Sequence, residues 1–279
     1  MGKHAFLIIA HNEFEILQEL IYALDDCDND IYVHIDKKVK NLPQLKAEIS
    51  KLQILQDRID VRWGHPSLVR CELTLLEKAL QSENRYDFLH IISGLHFPLY
   101  DKESFKEFFK PFIGFSIVQP IPYSEEEIKK RLGNYHYFLK YYMSGPKIIR
   151  NVDRALWKLS LYVQKQIRMR RDYSYFHGKS SNWVCISHEA ARIIVQDKNL
   201  IMRRFHRTYC ADEYFVMSVL GEHNLPTAQV PNLLYQEFKQ GNPRIFKEED
   251  YSLLKESKCI YARKFTTKSL TLIEKLKNG

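Results

Sequence analysis

Two adjacent carboxylates in the run Ala211-Asp212-Glu213-Tyr214-Phe215 are the first residues in this 279-residue chain whose types and spacing point to chemistry. Acids at a helix start commonly cap the helix or answer its dipole, and Asp212 reads best that way. Glu213, followed by two aromatics, is less easily dismissed, because one of two neighbouring carboxylates should turn toward the sheet. Other polar residues stand directly after apolar runs. Asp36 closes His34-Ile35-Asp36-Lys37-Lys38, where a carboxylate at the carboxyl edge of a strand can accept hydrogen bonds from a base or a ribose. His11 follows Ala5-Phe-Leu-Ile-Ile-Ala10, and Ser93-Gly94-Leu95-His96-Phe97-Pro98 makes a sharp turn after Phe88 to Ile92. Arg263 and Lys264, taken as residues alone, read as a solvated basic tail.

Several motifs are missing. The glycines of a phosphate loop, G-x-x-x-x-G-K-[ST], and of a G-x-G-x-x-G turn are absent, which argues against P-loop and classical dinucleotide chemistry. His188-Glu189 begins H-E-x-x-H without its second histidine, and no G-x-S-x-G elbow occurs. Asp28-Asn29-Asp30 has the D-x-D spacing by which many nucleotide-sugar enzymes hold a divalent metal. It falls between a helix and a strand, on the amino side of the sheet, and reads as a solvated turn.

These residues need a scaffold, and the hydrophobic pattern supplies one. Ala5 to Ala10 is a continuous apolar run, as expected of a strand covered on both faces. Asn12 to Leu24 then carries apolar residues at helical spacing, with Asn12 placed to cap it. Ile31 to Ile35 is a second strand, Leu42 to Leu55 a second helix and Ser67 to Leu80 a third. Phe88 to Ile92 and Phe115 to Val118 are further strands, as is Asn182 to Ile186, which holds Trp183. Ser187 caps a helix over His188 to Val195, Asp212 to Leu220 forms another, and Thr267 to Leu276 closes the chain. Strands alternating with helices predict an α/β fold with a mostly parallel central sheet, whose ligands bind beyond the carboxyl ends of the strands.

The middle differs. Ser124 to Tyr175 is basic and rich in Tyr, and Lys147 to Arg171 reads as one amphipathic helix with Ile148, Val152, Ala155, Leu156, Leu159, Val163 and Ile167 along one stripe. The ordinary reading packs that stripe on the sheet and solvates a basic face. The alternative is contact with an anionic membrane surface or an acidic acceptor. The expectation is one domain with this helical, irregular insert.

Composition sets the outer bounds. An apolar share of 45% and an aromatic share of 13% exclude a disordered chain. No run approaches the ~20 apolar residues of a membrane span, and no signal-peptide pattern is seen. Five widely spaced cysteines without a C-x-x-C pair argue against a disulfide framework or zinc site. The net charge of +8 can steer anions toward the protein. It does not make a nucleic-acid binder, because many of the aromatics interleave with apolar strands rather than with a basic stripe. The expectation is a soluble, cytoplasmic protein.

Read in order, AFLIIAHNEFEILQELI, IYVHIDKK, YDFLHIISGLHFPL, SSNWVCIS, ADEYFV, PRIFKEEDYSLL and YARKF resemble glycosyltransferase family 14, the core-2/I-branching β-1,6-N-acetylglucosaminyltransferases together with the peptide O-xylosyltransferases. The resemblance implies a GT-A-type fold over residues 1–279, with a nucleotide-binding half (1–120) and an acceptor-binding, catalytic half (121–279). It also implies a UDP-sugar donor, a saccharide or glycolipid acceptor, inversion at the anomeric carbon and, for the branching enzymes, no metal or other cofactor. By the same resemblance Glu213 is the general base and Lys264 binds the UDP diphosphate, with Arg244 as its partner. Asp36 lies near the uridine, His11 falls in the nucleotide-binding first turn, and Ser93, Gly94, Trp183 and Asp212 line the substrate pocket. His96 stands where the family usually has Asp. The lack of an anchor, a stem and disulfides suits a bacterial member that builds surface polysaccharide. UDP-N-acetylglucosamine is the expected donor. UDP-xylose, or a saccharide-binding protein on a degenerate transferase fold, is the alternative.

Overall fold

The computed structural model describes residues 2–239 and 241–278. Among these residues the strands are β1 (Lys3–Ala10), β2 (Asn29–Ile35), β3 (Lys51–Ile54), β4 (Tyr86–Ser93), β5 (Phe97–Pro98), β6 (Ser116–Val118), β7 (Val184–Ser187), β8 (Thr227–Gln229), β9 (Leu234–Gln236), β10 (Phe238–Lys239), β11 (Asn242–Pro243) and β12 (Tyr261–Arg263). The helices are α1 (Phe14–Leu24), α2 (Ser67–Leu80), α3 (Lys102–Phe109), α4 (Glu125–Leu132), α5 (Lys147–Gln166), α6 (His188–Gln196), α7 (Lys198–Phe205), α8 (Phe215–Glu222), α9 (Tyr251–Glu256) and α10 (Leu270–Asn278).

A seven-stranded sheet in the order β3-β2-β1-β4-β7-β6-β8 runs through the centre. Four of its six pairings are parallel, and only β7 runs against its two neighbours. The continuous apolar run of β1 has a direct cause in this arrangement. Ala5, Leu7 and Ile9 face the cluster that holds α2, whereas Phe6, Ile8 and Ala10 face the cluster that holds α1. The register brings Ala10 opposite Ile35 and Ile9 opposite Ser93, so three carboxyl ends finish level. A second sheet, β5-β12-β9, lies past that edge, and β10 and β11 form a hairpin.

Several expectations are corrected. Leu42 to Leu55 is not a helix: Asp25 accepts hydrogen bonds from the backbone N–H groups of Glu48, Ile49 and Ser50, which draws the chain out before β3 pairs with the edge of β2. Asn12 does not cap α1. The residue before that helix is Glu13 at φ 52°, and its carboxylate accepts instead from the Thr267 N–H. Ser187 does cap α6, its hydroxyl accepting from the Ala190 N–H. Asp28-Asn29-Asp30 is not a solvated turn throughout, because Asp30 is fully buried beneath Tyr86, Asn84 and Lys3, while Asp28 pairs with Lys106. The largest correction is α5. Its apolar stripe does not pack on the sheet but faces solvent, with Ile148 79% and Leu159 57% exposed.

All five cysteines are free thiols. Among the described residues no helix is long and apolar enough to cross a membrane.

Candidate active site

The level carboxyl edge of β1, β2 and β4 receives the first group of side chains. Asp36, one residue past β2, is buried, and its backbone N–H bonds to Ala10 O at 2.8 Å. Its carboxylate accepts from the Lys38 ammonium at 2.7 Å and from the Lys38 and Val61 N–H groups. Lys38 reaches on to Asp60, and Asp60 to Arg62, which donates to Lys140 O and Ser144 Oγ. The loop after β2 is thereby clamped to the segment that precedes α5.

Gly94 follows β4 and donates to Ile9 O at 2.9 Å. A Cβ there would lie 3.0 Å from the Ala10 Cβ and 3.3 Å from the Leu17 side chain, so any larger residue would have to push these neighbours back by a few tenths of an ångström. The turn returns His96 beneath the sheet edge, where it is fully buried. Its Nδ1 accepts from the Ser93 N–H at 3.1 Å and lies 2.9 Å from Ser93 Oγ. Burial, helped by the nearby Arg263, holds its pKa well below the usual value, so the ring is neutral and Nε2 carries the proton. Among the described residues that Nε2 has no hydrogen-bond partner. The ring meets Trp183 edge-on, centroids 4.9 Å apart, and the Arg263 guanidinium lies 5.3 Å from the Trp183 ring on the strand β12 that pairs with β5.

Arg263 and Lys264 therefore leave the second sheet toward the same edge as His11. The pKa of His11 is lowered, first by the protein around it, with Lys264, Lys38 and Arg263 adding to the effect and Asp36 opposing it. Among the described residues neither Arg263 nor Lys264 has an ion-pair partner, and burial alone takes Arg263 down to about 10. Arg244 is held differently. Its guanidinium pairs with Glu237 at 2.6 Å and with Asp250, and the backbone beside it bonds to that of Lys264. It braces the strand from which Lys264 projects.

Glu213 ends a short 3-10 turn, Ala211–Glu213, set up by Cys210 in the left-handed region at φ 55°. Its carboxylate is partly exposed and 3.3 Å from the Lys179 ammonium, which also pairs with Glu127 at 2.8 Å. The Ser180 N–H donates to Glu213 O. From that point the chain needs three residues to reach Trp183, and three residues extended span at most about 11 Å. The loop 179–183 thus joins the carboxylate to the cation and aromatic group at the sheet edge. Asp212 does not cap a helix. It is buried, one carboxylate oxygen lacks any partner, and desolvation, with Glu213 beside it, raises its pKa to about 7.

Four contributors escape the sequence pattern. Glu72 is buried, neither of its oxygens is hydrogen-bonded among the described residues, and burial, with the charge of Asp212 adding to it, raises its pKa well above the ordinary value. Its signal was a charge on the apolar stripe of Val69, Leu75, Leu76 and Ala79. Lys179 left no such signal, and Arg263 was indistinguishable from a basic tail. Trp63 is 60% exposed and meets Tyr209 edge-on at 5.8 Å. Gly64, at φ 69°, is required there because a Cβ would strike the Tyr209 ring at 2.5 Å.

The D-x-D aspartates are remote from all of these. Asp26, Cys27 and Asp28 cluster at the opposite, amino edge of the sheet, where Lys106 already pairs with both carboxylates.

Residues 4–234 match the family model described as Core-2/I-Branching enzyme, a span that contains Glu213 and ends before Arg244 and Lys264. The chain is also similar to "Xylosyltransferase oxt" of Drosophila melanogaster, at 22% identity over 89% of this chain and 30% of the relative. It thus spans less than a third of that protein's length. With a family match across most of its length and a mixed α/β sheet, the chain belongs to the Core-2/I-Branching family of glycosyltransferases.

Proposed function

We propose that the protein transfers a sugar from a UDP-sugar to a saccharide hydroxyl with inversion and without a metal. The observation that carries this reading is the loop 179–183, which holds the Glu213 carboxylate at one end and the Trp183–Arg263 stack at the other. In this scheme Glu213 takes the proton of the acceptor hydroxyl as its oxygen attacks the anomeric carbon. The bond from that carbon to the diphosphate breaks on the far side, and UDP leaves with the electron pair. Lys264 and Arg263, which have no carboxylate to satisfy, meet the developing charge. The donor set supports independence from metal, since the acidic cluster at the other sheet edge is committed to Lys106. Asp36 and His11 flank the nucleotide, His96 and Ser93 floor the pocket, and Trp63 with Tyr209 offers an aromatic platform for the acceptor.

UDP-N-acetylglucosamine in a β-1,6 branching transfer, serving surface polysaccharide, is the first reading. UDP-xylose is the second, favoured by the name of the Drosophila relative. The test is UDP release from each donor in EDTA, with and without saccharide acceptors. One donor should turn over, and Glu213→Gln should lower that rate by roughly 10²–10⁴ while UDP still binds. Turnover that requires manganese would overturn the metal-free scheme, and silence with every donor would favour a binding protein.

A further inference from the structure

Helix α5 is inverted relative to an ordinary surface helix. Its polar residues face the protein: Asp153 accepts from the Tyr141 N–H, Arg154 donates to Tyr142 O, Trp157 bonds to His136, and buried Gln164 bonds both backbone groups of Tyr135. Its apolar residues face outward. Ile148, Val152, Leu159, Val163 and Ile167 recur at helical spacing on one exposed stripe, and Tyr162 beside them is 60% exposed. Such a face is larger than the scattered apolar residues of an ordinary surface.

Charge identifies what covers it. Residues 147–171 hold eight Lys or Arg against one acid, Asp153, which is turned inward. Lys147, Lys158, Lys165, Arg168 and Arg170 are exposed around the stripe. Arg171 is not among them, since it is buried against Thr208. A second copy would bring the same cations face to face, whereas an anionic lipid surface takes both the apolar stripe and the positive rim. We propose that the outer face of α5 lies in the interface of an anionic lipid bilayer, parallel to its surface, with the basic residues among the headgroups.

The position of the helix gives this docking a purpose. Trp157 and Tyr142 pack against Tyr209, centroids 6.3 and 5.4 Å away, four residues before Glu213. Binding through α5 holds the acidic turn near the bilayer surface, where an acceptor carried on a lipid would present its sugar. That last step rests on the proposed function, whereas lipid binding itself does not.

Flotation with vesicles of about three parts phosphatidylcholine to one part phosphatidylglycerol tests the proposal on the whole chain. Wild-type protein should float with these vesicles, stay unbound with phosphatidylcholine alone, and lose binding as salt is raised. Val152→Asn with Leu159→Asn should weaken binding about tenfold or more, and Lys165→Gln with Arg168→Gln by a factor of several per charge. All four positions are exposed, so an unchanged melting temperature verifies that the fold is intact. Absence of vesicle binding by the wild type would overturn the proposal, as would binding indifferent to the stripe variants. Self-association in sedimentation that the same variants abolish, without vesicle binding, would assign the face to a second copy instead.

Discussion

Glu72 on α2 and Asp212 in the acidic turn both bury their carboxyl groups, and the charge on Asp212 raises the pKa of Glu72 further. Neither carboxyl finds a full set of donors. Both pKa values are raised, so the native state keeps protons that the unfolded chain releases above the ordinary carboxylate range. For Asp212 the stability is fully present at acid pH and falls as pH rises from about 3.8 to about 7. Asp212→Asn should therefore match the wild type in unfolding free energy near pH 4 and exceed it near pH 8, by at most about 4 kcal/mol. Glu72→Gln should move in the same direction. Melting curves across that range check both, and a variant less stable at pH 8 would mean that the carboxylates are ionised and paired.

The two kinds of arginine at the C-terminal sheet make separable predictions. Lys264→Ala and Arg263→Ala should each lower transfer in metal-free buffer by about 10²–10³, with weaker UDP binding by calorimetry. Arg244→Ala should instead lower the melting temperature, because it breaks pairs with both Glu237 and Asp250. Equal loss of UDP affinity in all three would place Arg244 on the diphosphate as well.

His96 is fully buried beneath the sheet edge. His96→Asp would place a carboxylate next to Trp183 and within reach of the field of Arg263, whose Nε has no partner. The single variant should fold, with Arg263 as counter-ion. Combined with Arg263→Ala it should lose about 3–5 kcal/mol, the cost of a buried carboxylate without a partner. Urea unfolding of the four members of this cycle measures the coupling, and additive effects would separate the two residues.

Trp63 should act on the acceptor alone. Trp63→Ala removes a large exposed aromatic from the Tyr209 edge, and the acceptor KM should rise about tenfold while UDP affinity is unchanged. Steady-state rates against acceptor concentration at fixed donor decide it.

The strands that carry the site were readable because burial on both faces demands unbroken apolar runs, as in β1 and β4. Their carboxyl ends followed, and with them Asp36, Ser93 and His96. Residues whose role depends on a distant partner were not readable. The segment 42–55 has helical spacing, yet the Asp25 carboxylate and the open edge of β2 claim it. The stripe on α5 was visible, but which way it faces is decided by Gln164, Trp157 and Asp153, whose bonds to the segment 135–141 no periodicity reveals.

Strand β12 is stitched between β5 and β9, pairing Tyr261 with Pro98 across most of the chain. Such distant pairings form late, because the intervening chain must first be brought to order. The central sheet, the acidic turn and the aromatic platform are all encoded before β12. On the proposed function, a chain growing from its N-terminus assembles a base and an acceptor platform first, and gains the cations for a leaving diphosphate only when its last elements close.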